Sequence, residues 1–161
     1  KNNQPHSRFV NFKYFFEDNL VFFSNYESHK AQNFIDNNKV CVNFWWPNIE
    51  VQIRIEGIIS KCEEKFSDEH FQGRKPAKNV AALVSEQSKK IESYDLLKQK
   101  YEAMKEKIEN GEDVNSRPKN WGGYQIKVHF FEFWEANDDR LNYRECYEKN
   151  DKSWSKYFLQ S

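Results

Sequence analysis

The alternation of apolar and polar residues along the chain is clearest between residues 51 and 62, where it predicts a β-strand. Val51, Ile53 and Ile55 occupy every second position, and the residues between them are polar. Successive side chains of a strand point to opposite faces, so this pattern buries one face and leaves the other polar. Gly57 interrupts the alternation, which predicts a bulge or a bend at that position.

Aromatic and β-branched residues predict the remaining strands, because such residues favour extended structure and each run ends at turn-forming residues. These strands are expected over residues 8–16, 20–24, 39–46, 124–134, 143–149 and 153–159. The Glu-Asp-Asn turn at residues 17–19 joins the first two into a hairpin. The chain is therefore expected to contain six or seven strands.

Helices are predicted between these strands over residues 29–37, 65–72, 78–86 and 93–109, and Ser28 and Ser93 are candidate N-caps for the first and the last of them. The last helix carries an apolar face, expected to pack against the strands, formed by Leu97, Tyr101, Met104 and Ile108. Strands and helices do not alternate regularly along the chain. The predicted fold is therefore mainly β, an antiparallel barrel or sandwich with helices packed outside.

Length and composition limit the classes of protein to which the chain can belong. Its 161 residues fit one domain, residues 1–161, with one core. The 25 Lys and Arg residues balance the 25 Asp and Glu residues, which argues against a binder of nucleic acid or of anionic membranes. No apolar run approaches the roughly 18 residues of a membrane span, and the first residues lack the apolar stretch of a signal peptide. We therefore expect a soluble, cytoplasmic protein with no nucleic-acid or membrane partner.

The spacing of cysteines and histidines does not indicate a metal site. Cys41, Cys62 and Cys146 form no CxxC pair, and their odd number favours free thiols, as in a reducing cytoplasm. The four histidines show neither HExxH nor HxxxH spacing. We therefore expect no bound metal.

Several cationic and amide side chains lie near the ends of predicted elements. Lys30 lies in the first turn of a predicted helix, where it is either a solvated charge or part of a phosphate site with the free backbone N–H groups. Gln52, on the polar face of its strand, is either an ordinary exposed side chain or a partner for the imide edge of a planar ring. Arg140 and Arg144, beyond a strand that ends at Trp134, are either a surface pair or a site for anions.

Six stretches of the chain, taken in order, match one family of enzymes. They are residues 8–13, 21–31, 52–57, 84–88, 121–124 and 132–134 with 140–141. With these stretches the sequence resembles the pyridoxine/pyridoxamine 5'-phosphate oxidases, which are FMN enzymes of the split-barrel fold. The resemblance implies an antiparallel split β-barrel and a homodimer with FMN at its interface. The family has a helix and a strand before the first matching stretch, and this chain is expected to lack that N-terminal segment.

The resemblance also implies which residues hold FMN. The segment from Arg8 to Lys13 would run along the cofactor, Lys30 would bind its phosphate, and Gln52 would come from either subunit. The implied set is Arg8, Phe9, Val10, Asn11, Phe12, Lys13, Phe23, Ser24, His29, Lys30, Gln52, Gln87, Ser88, Trp134 and Arg144.

For the substrate, the resemblance implies a phosphate clamp and two catalytic residues that contact the substrate ring. The catalytic residues are Arg140 and Asn142. The clamp consists of Lys13, His70, Arg74 and Lys78. Arg140 would favour the negative charge that develops as hydride leaves the substrate.

The chain departs from the family pattern at several of these positions. His70 stands where the family usually has Tyr, Lys78 where it has Ser, and Asn142 where it has His. Near the flavin, His29 replaces an Arg, and Tyr143 replaces an acidic residue. The phosphate clamp is thus altered but still able to bind phosphate, since Lys78 adds a point charge.

The activity that the resemblance implies is FMN-dependent oxidation of pyridoxamine or pyridoxine 5'-phosphate to pyridoxal 5'-phosphate, an oxidoreductase reaction of vitamin B6 salvage. Hydride would pass from the substrate to the flavin, and dioxygen would reoxidise the flavin and yield hydrogen peroxide. Three alternatives remain open. They are a split-barrel flavoprotein acting on another ring, as phenazine-type oxidases do, a flavin- or pyridoxal-phosphate-binding protein with little turnover, and a structural dimer whose helix 93–109 binds a partner.

Overall fold

Seven antiparallel strands form one sheet in the part of the chain that the structure, a computed structural model, describes, which is residues 4–161. In chain order they are β1 (Phe12–Phe16), β2 (Asn19–Asn25), β3 (Lys39–Trp46), β4 (Val51–Lys61), β5 (Trp121–Glu135), β6 (Tyr143–Lys149) and β7 (Trp154–Phe158). Residues 1–3, which belong to the predicted domain, lie outside the described residues. The prediction of a mainly β, antiparallel fold is confirmed.

Strand β5 organises the sheet because its 15 residues are enough to pair with three other strands. Its first half, from Trp121 to Lys127, pairs with β2, and its second half, from Phe130 to Glu135, pairs with β6. On its other side β4 pairs with most of its length. The sheet continues from β2 to β1, from β4 to β3 and from β6 to β7. The two ends of β5 therefore belong to different parts of the sheet.

One apolar cluster forms the core that holds these strands together. Leu20 and Phe22 of β2, Ile53 and Ile55 of β4, and Ile126 of β5 are buried in it. The inward-facing residues of β4 are those that the alternation of the sequence predicts. Removal of these side chains from water supplies the main stabilisation of the sheet.

Four helices connect the strands: α1 (His29–Asp36), α2 (Glu64–Gln72), α3 (Pro76–Val84) and α4 (Tyr94–Glu109). Ser93 caps α4 as predicted, since its Oγ accepts a hydrogen bond from the backbone N–H of Leu96 at 3.1 Å. The prediction that the apolar face of α4 packs against the strands is wrong. That face meets α3, the preceding helix, and Tyr101 Oη donates to the carbonyl of Ala77 at 3.3 Å. Within residues 4–161, no helix has the length and apolar character needed to cross a membrane.

The first strand begins at Phe12 rather than at residue 8 as predicted. The register between β1 and β2 shifts between Phe12 and Tyr14, and the pairing of the two strands ends at Phe12, which still pairs with Phe22. Residues 8–11 consequently belong to no strand. In this segment the Arg8 guanidinium donates to the carbonyl of His6 at 3.2 Å.

A bulge lies opposite Gly57, where the sequence predicts a bulge or a bend, and its extra residue is His129 of β5. The register of β4 against β5 shifts between Glu56 and Gly57. A Cβ atom at Gly57 would lie 2.5 Å from Ile126 Cγ2 and 2.7 Å from the backbone oxygen of Lys127. The close approach of these two strands therefore requires glycine at this position.

We predict that Gly57→Ala lowers the free energy of unfolding by about 1–3 kcal/mol, because the added methyl group overlaps backbone that cannot move aside cheaply. The measurement is denaturant unfolding at neutral pH. Gly73→Ala is the matched control, since a Cβ atom there would meet its nearest neighbour at 3.5 Å, an ordinary contact. Equal stabilities of the two variants would contradict the assignment of a steric role to Gly57.

Candidate functional site

A polar cleft of about 340 Å³ lies where the segment before β1, the start of α1 and the loop after α3 meet. We call it the Lys30 cleft. Six of the predicted cofactor residues line it, namely Arg8, Phe9, His29, Lys30, Gln87 and Ser88. These residues are up to 80 positions apart in the sequence, and the fold brings them to one place.

Lys30 is buried in this cleft, with a side chain that is 8% exposed. Its Nζ donates to Ser24 Oγ at 2.9 Å and to Ser28 Oγ at 3.3 Å, and no carboxylate of residues 4–161 forms an ion pair with it. Burial lowers the pKa of Lys30, and the charge of Arg8 lowers it further. A phosphate would reverse both effects, since it supplies the missing negative charge.

Ser28 differs from its predicted role as a helix cap. It occupies the N-cap position of α1, but its hydroxyl makes no capping hydrogen bond. That hydroxyl instead accepts the hydrogen bond from Lys30 Nζ. The first turn of α1 therefore keeps backbone N–H groups free of this hydroxyl, which favours an anion at the helix N-terminus.

The loop that carries Gln87 and Ser88 is fixed against β2. Ser24 Oγ donates to Gln87 Oε1 at 3.0 Å, and the backbone N–H of Asn25 donates to the same oxygen at 3.3 Å. Ser88 has a φ of 72°, which is unusual for a residue other than glycine. Such conformations persist where the surroundings hold them, often at binding sites.

A second group of predicted residues surrounds His70 at the end of α2. The His70 ring stacks on Phe23 with centroids 3.6 Å apart, and Tyr14 Oη lies 2.8 Å from His70 Nδ1. Phe23 was predicted to line a flavin, and its ring here contacts a predicted substrate residue. Burial lowers the pKa of His70 to about 4, and the charges of Arg74, Lys13 and Lys78 act in the same direction.

Arg74 is the residue of this group that is best placed to bind an anion. Its Nη2 donates to the carbonyl of Lys78 at 2.9 Å, and its guanidinium carbon lies 4.5 Å from the centroid of the Trp121 ring. Its Nη1 is buried and has no hydrogen-bond partner among residues 4–161. Burial also lowers the pKa of Arg74. We call the four predicted clamp residues Lys13, His70, Arg74 and Lys78 the His70 group.

Three further predicted cofactor residues form one row across three strands. Gln52 of β4 pairs with Trp134 of β5, which pairs with Arg144 of β6, so all three side chains lie on the same face of the sheet. We call these three residues the Gln52 row. The predicted catalytic residues Arg140 and Asn142 lie in the adjoining turn between β5 and β6.

Hydrogen bonds fix the conformation of this turn. Asn142 Oδ1 accepts from the backbone N–H of Asn137 at 3.1 Å, and the backbone N–H of Arg140 donates to the carbonyl of Asn137 at 3.0 Å. Arg140 is exposed and has a φ of 64°, the same unusual backbone region as Ser88. Its guanidinium is therefore free to contact a ligand while its backbone is held in place.

The Gln52 row and the Lys30 cleft lie far apart in one chain. Ser24, which contacts Lys30 at the cleft, pairs with Gly122, and Gln52 pairs with Trp134 on the same strand β5. Twelve residues of extended strand span about 40 Å, well over the length of one mononucleotide. The Lys30 cleft and the Gln52 row are therefore two separate groups of predicted cofactor residues in a single chain.

Apolar side chains are exposed around the Gln52 row. Trp45, Trp46, Leu141, Tyr143 and Phe158 are between 49% and 76% exposed. These positions lie at neighbouring ends of β3, β6 and β7 and in the turn before β6. A concentration of exposed aromatic residues at one end of a sheet is typical of an interface.

The sequence prediction did not include Tyr14 and Glu132, both of which contact predicted site residues. Tyr14 meets His70 across 56 positions, a contact for which the sequence carries no local signal. Glu132 is buried, and each of its carboxylate oxygens accepts hydrogen bonds from one arginine, Arg54 or Arg144. An acidic residue within an aromatic strand is a signal of a buried, paired carboxylate. No cluster of three or more potential metal ligands occurs in the described part of the chain.

Two family models match the chain. Residues 1–107 match the model described as pyridoxamine 5'-phosphate oxidase. Residues 121–161 match the model described as the pyridoxine 5'-phosphate oxidase C-terminal dimerisation region. The second match covers β5, β6 and β7, and with them Trp134, Arg144 and the exposed apolar residues Leu141, Tyr143 and Phe158.

Curated relatives carry the same family name. Pyridoxine/pyridoxamine 5'-phosphate oxidase 2 of Hydrogenovibrio crunogenus is 40% identical over 157 residues, which cover 98% of this chain and 73% of the relative. Pyridoxine/pyridoxamine 5'-phosphate oxidase of Colwellia psychrerythraea is 38% identical over 156 residues, which cover 97% of this chain and 71% of the relative.

Solved structures support the fold. PhzG from Burkholderia lata, in complex with tetrahydrophenazine-1-carboxylic acid, aligns with a TM-score of 0.89 at 24% identity, covering 99% of this chain and 77% of that one. A pyridoxamine 5'-phosphate oxidase-related, FMN-binding protein from Nostoc punctiforme aligns with a TM-score of 0.78 at 18% identity, covering 99% and 82%. The chain shares the fold of both structures, and the prediction of an antiparallel split barrel is confirmed.

We predict that His70 makes the chain less stable in mild acid. Because its pKa is lowered to about 4 in the folded state, the unfolded chain takes up this proton first as the pH falls from 6.5 towards 4. The free energy of unfolding should therefore fall over this range, by about 1 kcal/mol from this residue once solvent screening is allowed for. Denaturant unfolding at pH 7 and pH 4.5 measures the effect.

The matched variant is His70→Gln, which keeps a polar group beside Tyr14 but does not titrate. Its loss of stability between pH 7 and pH 4.5 should be smaller than that of the wild-type protein. An identical loss in both proteins would show that His70 is not buried in its neutral form.

Proposed function

The chain belongs to the pyridoxamine 5'-phosphate oxidase family, and from this we propose that it uses FMN and dioxygen to oxidise pyridoxamine or pyridoxine 5'-phosphate to pyridoxal 5'-phosphate. Both substrates yield hydrogen peroxide, and the amine also takes up water and releases ammonia. The observation that carries the proposal is the buried Lys30, which has no carboxylate ion-pair partner among residues 4–161. A buried cation of this kind is costly unless a ligand supplies negative charge. FMN is the cofactor of this family, and its phosphate is such a ligand.

The residues of the Lys30 cleft fit a phosphate ester. Lys30 and Arg8 supply positive charge, and Ser88 and the free backbone N–H groups at the start of α1 add hydrogen-bond donors. Gln87, already held by Ser24, borders the same cleft. We infer that FMN binds here through its phosphate, with residues 8–13 along the rest of the cofactor.

The His70 group fits a second phosphate, that of the substrate. Lys13, Arg74 and Lys78 supply positive charge, and Arg74 has a buried N–H group without a partner among residues 4–161. His70 is neutral at pH 7 because its pKa is about 4, so it contributes hydrogen bonding rather than charge. A dianionic phosphate ester would satisfy the arginine and compensate the three cations.

A homodimer reconciles the two separate groups of cofactor residues. Because the Gln52 row cannot reach the Lys30 cleft of its own chain, we infer that it completes the cleft of the partner. Two-fold symmetry then gives two equal sites in each dimer. The exposed apolar residues beside the row and the match to a dimerisation region support this arrangement.

In the proposed mechanism, bound FMN supplies the capacity to accept hydride from the substrate carbon that becomes the aldehyde and to return the electrons to dioxygen. The chain supplies position and charge. The His70 group holds the substrate phosphate and thereby fixes the substrate ring relative to the cofactor. Arg140, exposed on a rigid turn, favours negative charge at the reacting end of the substrate. Asn142 offers a hydrogen bond there without a charge.

We predict that anaerobic addition of pyridoxamine 5'-phosphate bleaches the visible band of the FMN-loaded protein and that air restores it. Bleaching measures transfer of electrons from the substrate, and its return measures reoxidation. Arg140→Ala should slow bleaching by at least about tenfold and leave the affinity for FMN within about twofold, since Arg140 contacts the substrate rather than the cofactor. Asp139→Ala, in the same turn, is the control and should bleach at the wild-type rate.

Each other outcome of this experiment contradicts a definite part of the proposal. If the protein is yellow but neither phosphate ester bleaches it, the cofactor assignment stands and the substrate assignment is wrong. Asn142 would then favour another ring substrate or a binding role without turnover. A protein that takes up no FMN would reject the cofactor assignment itself. Wild-type bleaching by Arg140→Ala would reject the role of that residue.

We predict that two inactive variants restore each other when they share a dimer. Lys30→Met damages the cleft and Arg144→Gln damages the row, so each homodimer should bind FMN at least about tenfold more weakly. In a mixed dimer, one site combines the intact cleft of one chain with the intact row of the other. Coexpression of both variants should therefore restore about a quarter of all sites to wild-type affinity.

Coexpression of Lys30→Met with Gln87→Ala is the control, because both changes damage the cleft and no mixed dimer then contains an intact site. Titration of FMN by fluorescence quenching measures the fraction of restored sites. An absence of recovery for Lys30→Met with Arg144→Gln would place the whole site in one chain.

A further inference from the structure

A charged cluster lies beside the Gln52 row, and the roles proposed above do not account for it. Glu132 is only 3% exposed, although it carries an ionisable group on the surface-facing side of the sheet. It lies two residues before Trp134 on β5, and it therefore shares the face of the sheet that carries the row. Arg54, two residues after Gln52 on β4, pairs with it directly across the strands.

Both carboxylate oxygens of Glu132 are bound by arginines. Oε1 accepts from Arg144 Nε at 2.7 Å and lies 2.6 Å from Arg144 Nη2. Oε2 accepts from Arg54 Nε at 2.8 Å and lies 2.7 Å from Arg54 Nη2. Burial acts to raise the pKa of Glu132, but the hydrogen bonds from the two arginines outweigh it and lower the pKa.

Arg144 is held in one orientation by these contacts. Its Nη1 also donates to the carbonyl of Gln160 at 3.0 Å, so three of the five N–H groups of the guanidinium are engaged. The other two have no acceptor among residues 4–161. Arg54, by contrast, forms a second ion pair within the cluster, with Glu56.

Stability alone does not explain this cluster. Replacing a buried group of paired charges by apolar side chains is often neutral or stabilising, whereas removing one member leaves an uncompensated charge. The cluster is better explained by what it holds at the surface, which is Arg144 beside Gln52 and Trp134. We propose that Glu132 is a positioning residue of the flavin site, which directs the two remaining N–H groups of Arg144 towards the cofactor bound by the partner chain.

This inference rests on the proposed function, since it requires FMN at the Gln52 row. It adds a second consequence, which concerns charge. Arg54, Glu56, Glu132 and Arg144 together carry no net charge, and Glu132→Gln would leave one positive charge in excess. Reduction adds negative charge to a flavin, so a positive charge nearby makes reduction easier. The midpoint potential of bound FMN should therefore become less negative in this variant.

The test compares FMN affinity in the wild-type protein, Glu132→Gln, Arg144→Gln and the double variant, by fluorescence titration of the intact dimer. We expect Glu132→Gln to raise the Kd at least about tenfold. We expect the double variant to bind no more weakly than Arg144→Gln, because Glu132 acts through that arginine. A purely structural role of Glu132 would make the double variant bind FMN more weakly than Arg144→Gln, because damage to the sheet would add to the loss of the arginine. Glu56→Gln is the control, since Glu56 touches Arg54 but not Arg144.

Three results would overturn the inference. They are an unchanged Kd in Glu132→Gln, independent losses in the double variant, and a midpoint potential that is unchanged or more negative. If Glu132→Gln fails to fold, Glu132→Asp carries the test, because it keeps the charge and is one methylene too short to hold both arginines. A wild-type protein that binds no FMN would overturn the proposed function as well, whereas wild-type binding with an unaffected Glu132→Gln overturns this inference alone.

Discussion

The length of β5 is the constraint on which the site depends. Its first residues hold β2 and the Lys30 cleft, and its last residues hold the Gln52 row and the turn with Arg140. A continuous extended strand cannot bring its own ends together, so each chain carries two incomplete halves of a site. A complete site therefore requires the association of two chains. A two-fold axis is the simplest arrangement that joins the cleft of each chain to the row of the other.

Positive charge without a protein counter-charge marks the places where ligands are needed. Among residues 4–161, Lys30 is buried with only hydroxyl partners, and Arg74 has a buried N–H group with no partner. Both features cost stability in the absence of a ligand. A phosphate group removes the cost when it binds, so the ligand stabilises the folded chain through its own affinity. Glu132 is the opposite case, because two arginines of the sheet compensate its charge. Its proposed effect on the ligand is exerted through Arg144.

Local patterns in the sequence were sufficient for elements that depend on periodicity or on nearby residues. The alternation in β4, the bulge at Gly57 and the cap at Ser93 could all be predicted because each arises from neighbouring positions. Contacts between distant residues could not be predicted in this way. Tyr14 meets His70 across 56 positions, and the start of β1 depends on where its pairing with β2 ends. The residues of the Lys30 cleft were named through a family resemblance, and only the fold shows that they meet.

The departures from the family pattern change where positive charge lies in the proposed substrate site. Lys78 adds positive charge beside the substrate phosphate, whereas His70 adds none at pH 7 because burial lowers its pKa to about 4. At the other end of the substrate, Asn142 keeps a hydrogen-bonding group but cannot become cationic as a histidine can. Compared with the family pattern, the site has more positive charge beside the substrate phosphate and less beside the substrate ring. A site of this kind should depend more on phosphate binding to hold its substrate, and it leaves Arg140 as the main source of positive charge at the reacting end.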